Sequence, residues 1–128
     1  MYLALPSPHT PILPTKQWIN KSGLNPYADF VLQIDSLIGR LNSLLIEENI
    51  EENTILIISS DNGCSPEANF KLLGEKGHDP SYIFRGHKAD IFEGGTRVPL
   101  IIKWPNKIQK KSISNTLVSL ADFYSTFA

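Results

Sequence analysis

The stretch 54-TILIISSDNGCSPE-67 runs an unbroken apolar segment, Ile55 to Ile58, straight into an acid, an amide and a glycine. A β-branched run without alternation suits a strand covered on both faces, the habit of parallel sheets. In an open α/β sheet, ligands sit beyond the carboxyl ends of the strands. Asp61 and Asn62 fall there. Their carboxylate and amide oxygens are hard donors of the kind that calcium or magnesium prefers. Asn62-Gly63 is also a strong hairpin dipeptide, although the following "CSPEANFK" does not alternate as a returning strand would. Position alone leaves turn and metal ligation both open.

Upstream, "NPYADFVLQIDSLIGRLNSLLIEEN" predicts a helix from about Pro26 to Glu48. Asn25 can cap it, and Pro26 at the first position sacrifices no needed N–H. Phe30, Ile34, Leu37, Leu41 and Leu44 or Leu45 recur at three and four, forming one apolar stripe. Tyr2–Leu5 reads as a short strand, followed by Pro6, Pro8, Pro11 and Pro14, which hold the chain extended. Downstream, "RVPLIIKWP" predicts a second buried strand, Val98–Trp104, and "LVSLADFYSTFA" has helical spacing from Leu117 to Phe127. The order is that of an α/β fold. Thr54–Ser59 and Val98–Trp104 are expected as neighbouring parallel strands, with the long helix on one face. The whole would be part of a mostly parallel sheet flanked by helices.

A chain of 128 residues with 12 basic and 13 acidic side chains carries a net charge of −1. That length can bury a core of ordinary size. Near neutrality argues against a nucleic-acid partner. No apolar run approaches the roughly 20 residues that span a bilayer. The single cysteine excludes an internal disulfide, and "MYLALPSPHTP" has no signal-peptide pattern. Asn20-Lys21-Ser22 matches a glycosylation sequon, a pattern short enough to arise often by chance. Tyr2–Leu5 begins without a leader and the last helical segment lacks a C-terminal cap, so the chain is expected to be a piece of a larger domain.

The connection from Gly63 to Gly95 is long and irregular, and such loops are usually functional. Its second half, "YIFRGHKADIFEGGTRVP", carries Arg85, His87, Lys88, Asp90, Glu93 and Arg97. Gly86, Gly94 and Gly95 permit close backbone approach or positive φ. A lysine suits an anionic oxygen, and a histidine can exchange a proton near neutral pH. Read alone, the segment is better explained as a solvated surface loop. His9, just past the first strand, and His78, in "KGHDPSY", read on spacing alone as structural residues.

Together "TILIISSDNG" and "FRGHKADIFEGGTRVPLIIKWP" resemble the C-terminal part of the sulfatase catalytic domain, within the alkaline phosphatase superfamily. "SPHTP" with "YADFVLQIDSLIGRL" fits the segment before those motifs, and "SNTLVSLADFYSTFA" the segment after. The likeness, nearest to arylsulfatases, covers nearly the whole chain. It implies an alkaline-phosphatase-like fold and hydrolysis of a sulfate ester to an alcohol or phenol plus sulfate. It implies that Asp61 and Asn62 are two ligands of an active-site Ca2+. It gives Lys88 the sulfate oxygens and His9 the ester near the leaving oxygen, both as catalytic and substrate-binding residues. Glu93, Gly94 and Gly95 would shape the loop that carries Lys88. His87, Arg85 and His78 would border the substrate pocket. A periplasmic, secreted or lysosomal location goes with the family.

The sequence also departs from the family. Sulfatases use a formylglycine made from the Cys or Ser of a C-x-P-x-R motif. Cys64-Ser65-Pro66-Glu67-Ala68 imitates its start but has Ala68 in place of the arginine, and it follows the Asp-Asn-Gly segment instead of lying far upstream. Cys64 is therefore not read as the nucleophile. Residues 1–128 are expected to be a partial catalytic domain with half a Ca2+ site, inactive alone, whose formylglycine and remaining ligands lie in an N-terminal part. Two alternatives compete: a phosphoester hydrolase or transferase of the same superfamily, and a non-catalytic anion-binding α/β domain.

Overall fold

The computed structural model describes all residues from Met1 to Ala128. Helix α1 spans Pro26–Glu47. Asn25 fixes its start: the side-chain oxygen accepts from Ala28 N at 3.0 Å, and Nδ2 donates to the Ala68 carbonyl at 2.7 Å. The cap thus also ties the helix to a distant turn. At the other end Asn49 turns left-handed, with φ 58. The Ile50 N–H then returns to the Leu45 carbonyl at 3.0 Å, closing the helix without glycine.

A single-turn 3₁₀ segment, Glu51–Asn53, leads into strand β1, Leu56–Ser59. The connection holds a 3₁₀ turn at Pro66–Ala68 and two short helices, α2 at Phe70–Glu75 and α3 at Glu93–Thr96. Strand β2 is Leu100–Lys103, and α4 is Asp122–Phe127.

The two strands are neighbours as expected, but they run antiparallel, pairing Leu56 with Lys103, Ile57 with Ile102, Ile58 with Ile101 and Ser59 with Leu100. This corrects the parallel arrangement, and no other strand pair forms a sheet. The reason lies in the connection. It leaves β1 and re-enters β2 at the same end, pinned there by Ser59 Oγ donating to the Pro99 carbonyl at 2.8 Å and Gly63 N to the Gly95 carbonyl at 2.9 Å. A parallel pair needs a crossover that travels back along the strands. Continuous apolarity reports burial on two faces and carries no information about direction.

Three other expectations are corrected. Tyr2–Leu5 forms no strand and lies largely exposed. A strand needs a neighbour for its backbone groups, and none pairs with it here. The last helix begins only at Asp122, whose carboxylate accepts from Ser119 N at 2.7 Å. Leu117, at 98% exposure, has no surface to pack on, and short helices depend on such packing. The core is also small. Only seven residues are buried, of which Leu73 and Ala68 are the apolar members. No helix is long and apolar enough to cross a membrane.

One buried group braces the first turn of α1. Asp29 is 2% exposed and accepts from Asn20 N at 2.8 Å and Ser22 N at 2.7 Å. Burial works to raise its pKa, but the N–H and hydroxyl donors of Ser22, with the N–H groups of Asn20 and Lys21, outweigh it and hold the carboxyl below its usual range.

Candidate functional site

The connection between β1 and β2 folds on itself through backbone contacts that only glycine allows. A Cβ on Gly63 would stand 1.9 Å from the Gly94 carbonyl oxygen. One on Gly94 would meet the Gly86 carbonyl at 2.1 Å, and one on Gly95 the Asp90 carbonyl at 2.3 Å. Gly94 N donates to the Arg85 carbonyl at 2.8 Å, and Lys88 N donates to the Cys64 carbonyl at 2.8 Å. The Asp61-Asn62 turn and the Lys88 loop are therefore stitched together just beyond the carboxyl end of β1.

Across 79 positions of sequence, Lys88 Nζ meets His9 Nε2 at 3.0 Å. For a neutral ring these partners favour one tautomer. An ammonium can only donate, so Nε2 offers its lone pair. The other ring nitrogen, Nδ1, lies 3.0 Å from the Thr10 carbonyl, which can only accept, so Nδ1 carries the proton. One cationic donor and one imidazole share a single exposed spot, an arrangement suited to an anionic oxygen.

Asp61 is exposed beside this pair's loop. Asn62 Nδ2 donates to the Gly63 carbonyl at 3.0 Å, which leaves the amide oxygen as its outward acceptor. Two adjacent hard oxygens fit an alkaline-earth cation chemically. They are only part of a shell, since no group of three or more His, Cys, Asp or Glu side chains gathers around a common point. The residues present fit Ca2+ as a half-site.

His87 and Arg85 brace the loop. His87 N donates to Asp90 Oδ2 at 3.1 Å, its Nδ1 lies 2.9 Å from the Lys88 carbonyl, and its ring meets Phe70 edge-on with centroids 5.8 Å apart. The Arg85 guanidinium covers the Phe92 ring at 3.9 Å. His78 is exposed and lines a separate cleft with Phe70, Lys71 and Asp79.

Cys64 is half-buried. Burial pushes its thiol pKa up against an opposing hydrogen bond from Tyr27, and the charge of Asp79 adds to the rise. The phenol of Tyr27 is pushed up as well, by burial and then by Cys64. A thiol so held stays protonated at neutral pH and is a poor nucleophile.

Sequence reasoning missed Glu67. Its carboxyl is held below the usual range, first by the hydroxyl of Ser65 and then by its own backbone N–H, with the charge of Lys88 a lesser cause. Glu67 makes no ion pair with Lys88 or His9, and its side-chain partner is the Ser65 hydroxyl. No spacing pointed to it, because its place is set by the turn at Pro66–Ala68.

The family model described as Sulfatase matches residues 1–128. An N-acetylgalactosamine-6-O-sulfatase of Bacteroides thetaiotaomicron is 34% identical over 131 aligned positions, covering 100% of this chain and 25% of its own length. An arylsulfatase of Hemicentrotus pulcherrimus is 35% identical, covering 100% of this chain and 22% of its own. Among solved structures, one from work on glycosaminoglycan metabolism by Bacteroides thetaiotaomicron superposes with a TM-score of 0.75 at 37% identity. It covers 82% of this chain and 22% of its own. The chain thus spans about a quarter of the length of the relatives it matches. With the whole chain inside the family model and the structural likeness above, the chain belongs to the sulfatase family.

Proposed function

We propose that the polypeptide to which these residues belong hydrolyses a sulfate ester, and that residues 1–128 supply the half of the site that grips the sulfate group. The observation that carries this reading is the 3.0 Å meeting of Lys88 Nζ and His9 Nε2 beside the Asp61-Asn62 turn. Cleaving a sulfate ester requires the charge of the sulfate oxygens to be offset and the departing alkoxide to be stabilised. Lys88 supplies fixed positive charge to the oxygens. His9, with its proton on Nδ1 and its lone pair at Nε2, accepts from Lys88 before substrate binds. To serve the ester that displaces this contact, His9 has to carry a proton on Nε2 as imidazolium, which donates to the ester oxygen and passes to the leaving alkoxide as the ester bond breaks, leaving a neutral imidazole. Asp61 and Asn62 would hold Ca2+, which when bound adds a second positive charge at the sulfate. The relatives named for an N-acetylgalactosamine 6-sulfate and for aryl sulfates support a sulfate ester of a sugar or a phenol.

The 128 residues contain no C-x-P-x-R segment, and the Cys64 thiol is protonated. Without a nucleophile no covalent step is available, so these residues alone bind without turning over. The test joins them to a sulfatase N-terminal half that carries C-x-P-x-R. The expected result is hydrolysis of 4-nitrophenyl sulfate, falling roughly 100-fold or more in Lys88→Ala, while the 128 residues alone stay silent with calcium present. Preference for 4-nitrophenyl phosphate over the sulfate would overturn the reading in favour of a phosphoester hydrolase. Turnover by the 128 residues alone would overturn the assignment of the nucleophile elsewhere.

A further inference from the structure

We infer that helix α1 sets the spacing of the Lys88–His9 pair, and that Asn25 and Gln33 are positioning residues for it, one for each partner. This rests on the sulfate-gripping role proposed for that pair.

Asp29 and Gln33 stand four residues apart and so share one face of α1, and the capping Asn25 precedes them by the same interval. Each holds a different piece of chain. Asn25 Nδ2 donates to the Ala68 carbonyl at 2.7 Å, and both residues are buried. No other side-chain hydrogen bond of the molecule joins two buried residues. Ala68 closes the turn at Pro66–Ala68, its N–H returning to the Ser65 carbonyl at 3.0 Å. The neighbouring Cys64 carbonyl accepts from Lys88 N at 2.8 Å. Lys88 and Asn25 are thus anchored on one short, closed turn.

The other two side chains hold the segment that leads to His9. Gln33 Oε1 accepts from Thr15 N at 2.8 Å and from Thr15 Oγ1 at 3.2 Å. Asp29 accepts from Asn20 N and Ser22 N. Between Thr15 and His9 the chain passes Pro14 and Pro11, whose rings fix φ and restrict Leu13 and Thr10 before them. Only Ile12 keeps ordinary backbone freedom in that stretch. The place of His9 therefore follows the place of Thr15 on α1.

The choice of amide matters at both positions. A helix cap needs only an oxygen, which an aspartate would supply as well. The nitrogen of Asn25 is surplus to the cap, and it is the atom that holds the turn under Lys88. Gln33 is used through its oxygen alone, because the Thr15 N–H can only donate. Asn25→Asp therefore keeps the cap and removes the donor, whereas Gln33→Glu keeps the acceptor. Both add one negative charge, so an effect of charge alone on a bound anion would be the same in the two variants.

The test measures inorganic sulfate binding by the 128-residue chain and follows the His9 ring nitrogens by long-range proton–nitrogen NMR. Circular dichroism checks that α1 persists in each variant. Asn25→Asp is expected to weaken sulfate binding about tenfold, the equivalent of one modest hydrogen bond. It should also move the Nε2 signal toward its position in Lys88→Ala, where that donor is gone. Gln33→Met, which lacks the oxygen, should do the same, and Gln33→Glu should restore both readouts to those of the unsubstituted chain. Equal weakening by Asn25→Asp and Gln33→Glu would overturn the inference in favour of charge alone. An Nε2 signal unmoved by both Asn25→Asp and Gln33→Met would overturn it whatever happens to sulfate. If Asn25→Asp loses the helix, Gln33→Met against Gln33→Glu decides by the same signal. Lys88→Ala separates the two readings. If sulfate does not bind, or binds regardless of Lys88→Ala, the sulfate role of Lys88 fails, and the part played by α1 stands or falls on the His9 signal.

Discussion

The loop from Ser60 to Arg97 is braced more tightly than the strands it joins. Five of the seven buried residues lie in the loop, Ala68, Leu73, Ser81, Gly94 and Gly95, together with the Gly63–Gly94 contact. The strands contribute none, and Ile101 and Ile102 are 57% and 38% exposed. In most domains the sheet is the rigid part and the loop the variable one. Here order is spent on the segment that carries charge. The loop is held by backbone-to-backbone hydrogen bonds and glycine contacts, which are local to it. The sheet's apolar faces need surfaces that the chain itself supplies only in part, through α4 and Trp104 beside Ile55, Ile57 and Ile102.

Substitutions can break or sharpen this contrast. The largest effect is expected at Leu73. Leu73→Ala should destabilise the chain by about 2–5 kcal/mol, since it removes the one fully buried large side chain. Denaturant unfolding followed by circular dichroism measures it, and a loss below about 1 kcal/mol would mean that the loop does not rest on α2.

Gly63→Ala should cost about 1–3 kcal/mol, because the new methyl meets a carbonyl 1.9 Å away and the backbone has to give. Gly39 is the matched control. It lies inside α1 with nothing within 4 Å of an added Cβ, so Gly39→Ala should stabilise by about 0.5–1 kcal/mol. Equal effects of the two substitutions would show that the loop contact is absent in solution.

A pH titration probes Asp29. Its folded pKa is lowered, so the stability it contributes is fully present above the ordinary carboxylate pKa of about 3.9 and is lost as pH falls through the lower folded value. Asp29→Asn should flatten that part of the acid-unfolding curve relative to the unsubstituted chain. An unchanged acid limb would show that the N–H groups of Asn20 and Ser22 do not hold the carboxylate.

The smallest effect belongs to the sheet. Ile101→Thr, at a position 57% exposed, should change stability by no more than about 0.5 kcal/mol. A loss of 2 kcal/mol or more would reveal a packed surface over β2 and erase the contrast between loop and strands.

How much of this could be read in advance depends on which physics each residue obeys. Helix α1 was legible because its signals are local: Asn25 and Pro26 at the start and apolar residues at three and four. Gly94 and Gly95 were flagged as sites of close backbone approach for the same reason, since absence of a side chain is written in the residue itself. Strand direction was not legible. Ile55–Ile58 and Leu100–Ile102 look the same whichever way they pair, and only the closure of the connection decides. Tyr2–Leu5 and Leu117–Leu120 had the composition of regular elements but lacked partners, which no single segment reveals. Within the site, Asp61, Asn62, Lys88 and His9 could be named through resemblance. The direct approach of His9 to Lys88 comes from tertiary placement alone.

The contact of Gly63 with Gly94 has a consequence for inheritance and for engineering. Because the two backbones interlock with no side chain between them, the Asp61-Asn62 turn and the Lys88 loop cannot drift or be exchanged separately. A graft that moves one motif into another scaffold without its counterpart would carry the residues but lose their spacing. The segment from Ser60 to Arg97 therefore moves as one module, and libraries that aim to retune the anion grip should vary the side chains around Lys88 while leaving Gly63, Gly94 and Gly95 fixed.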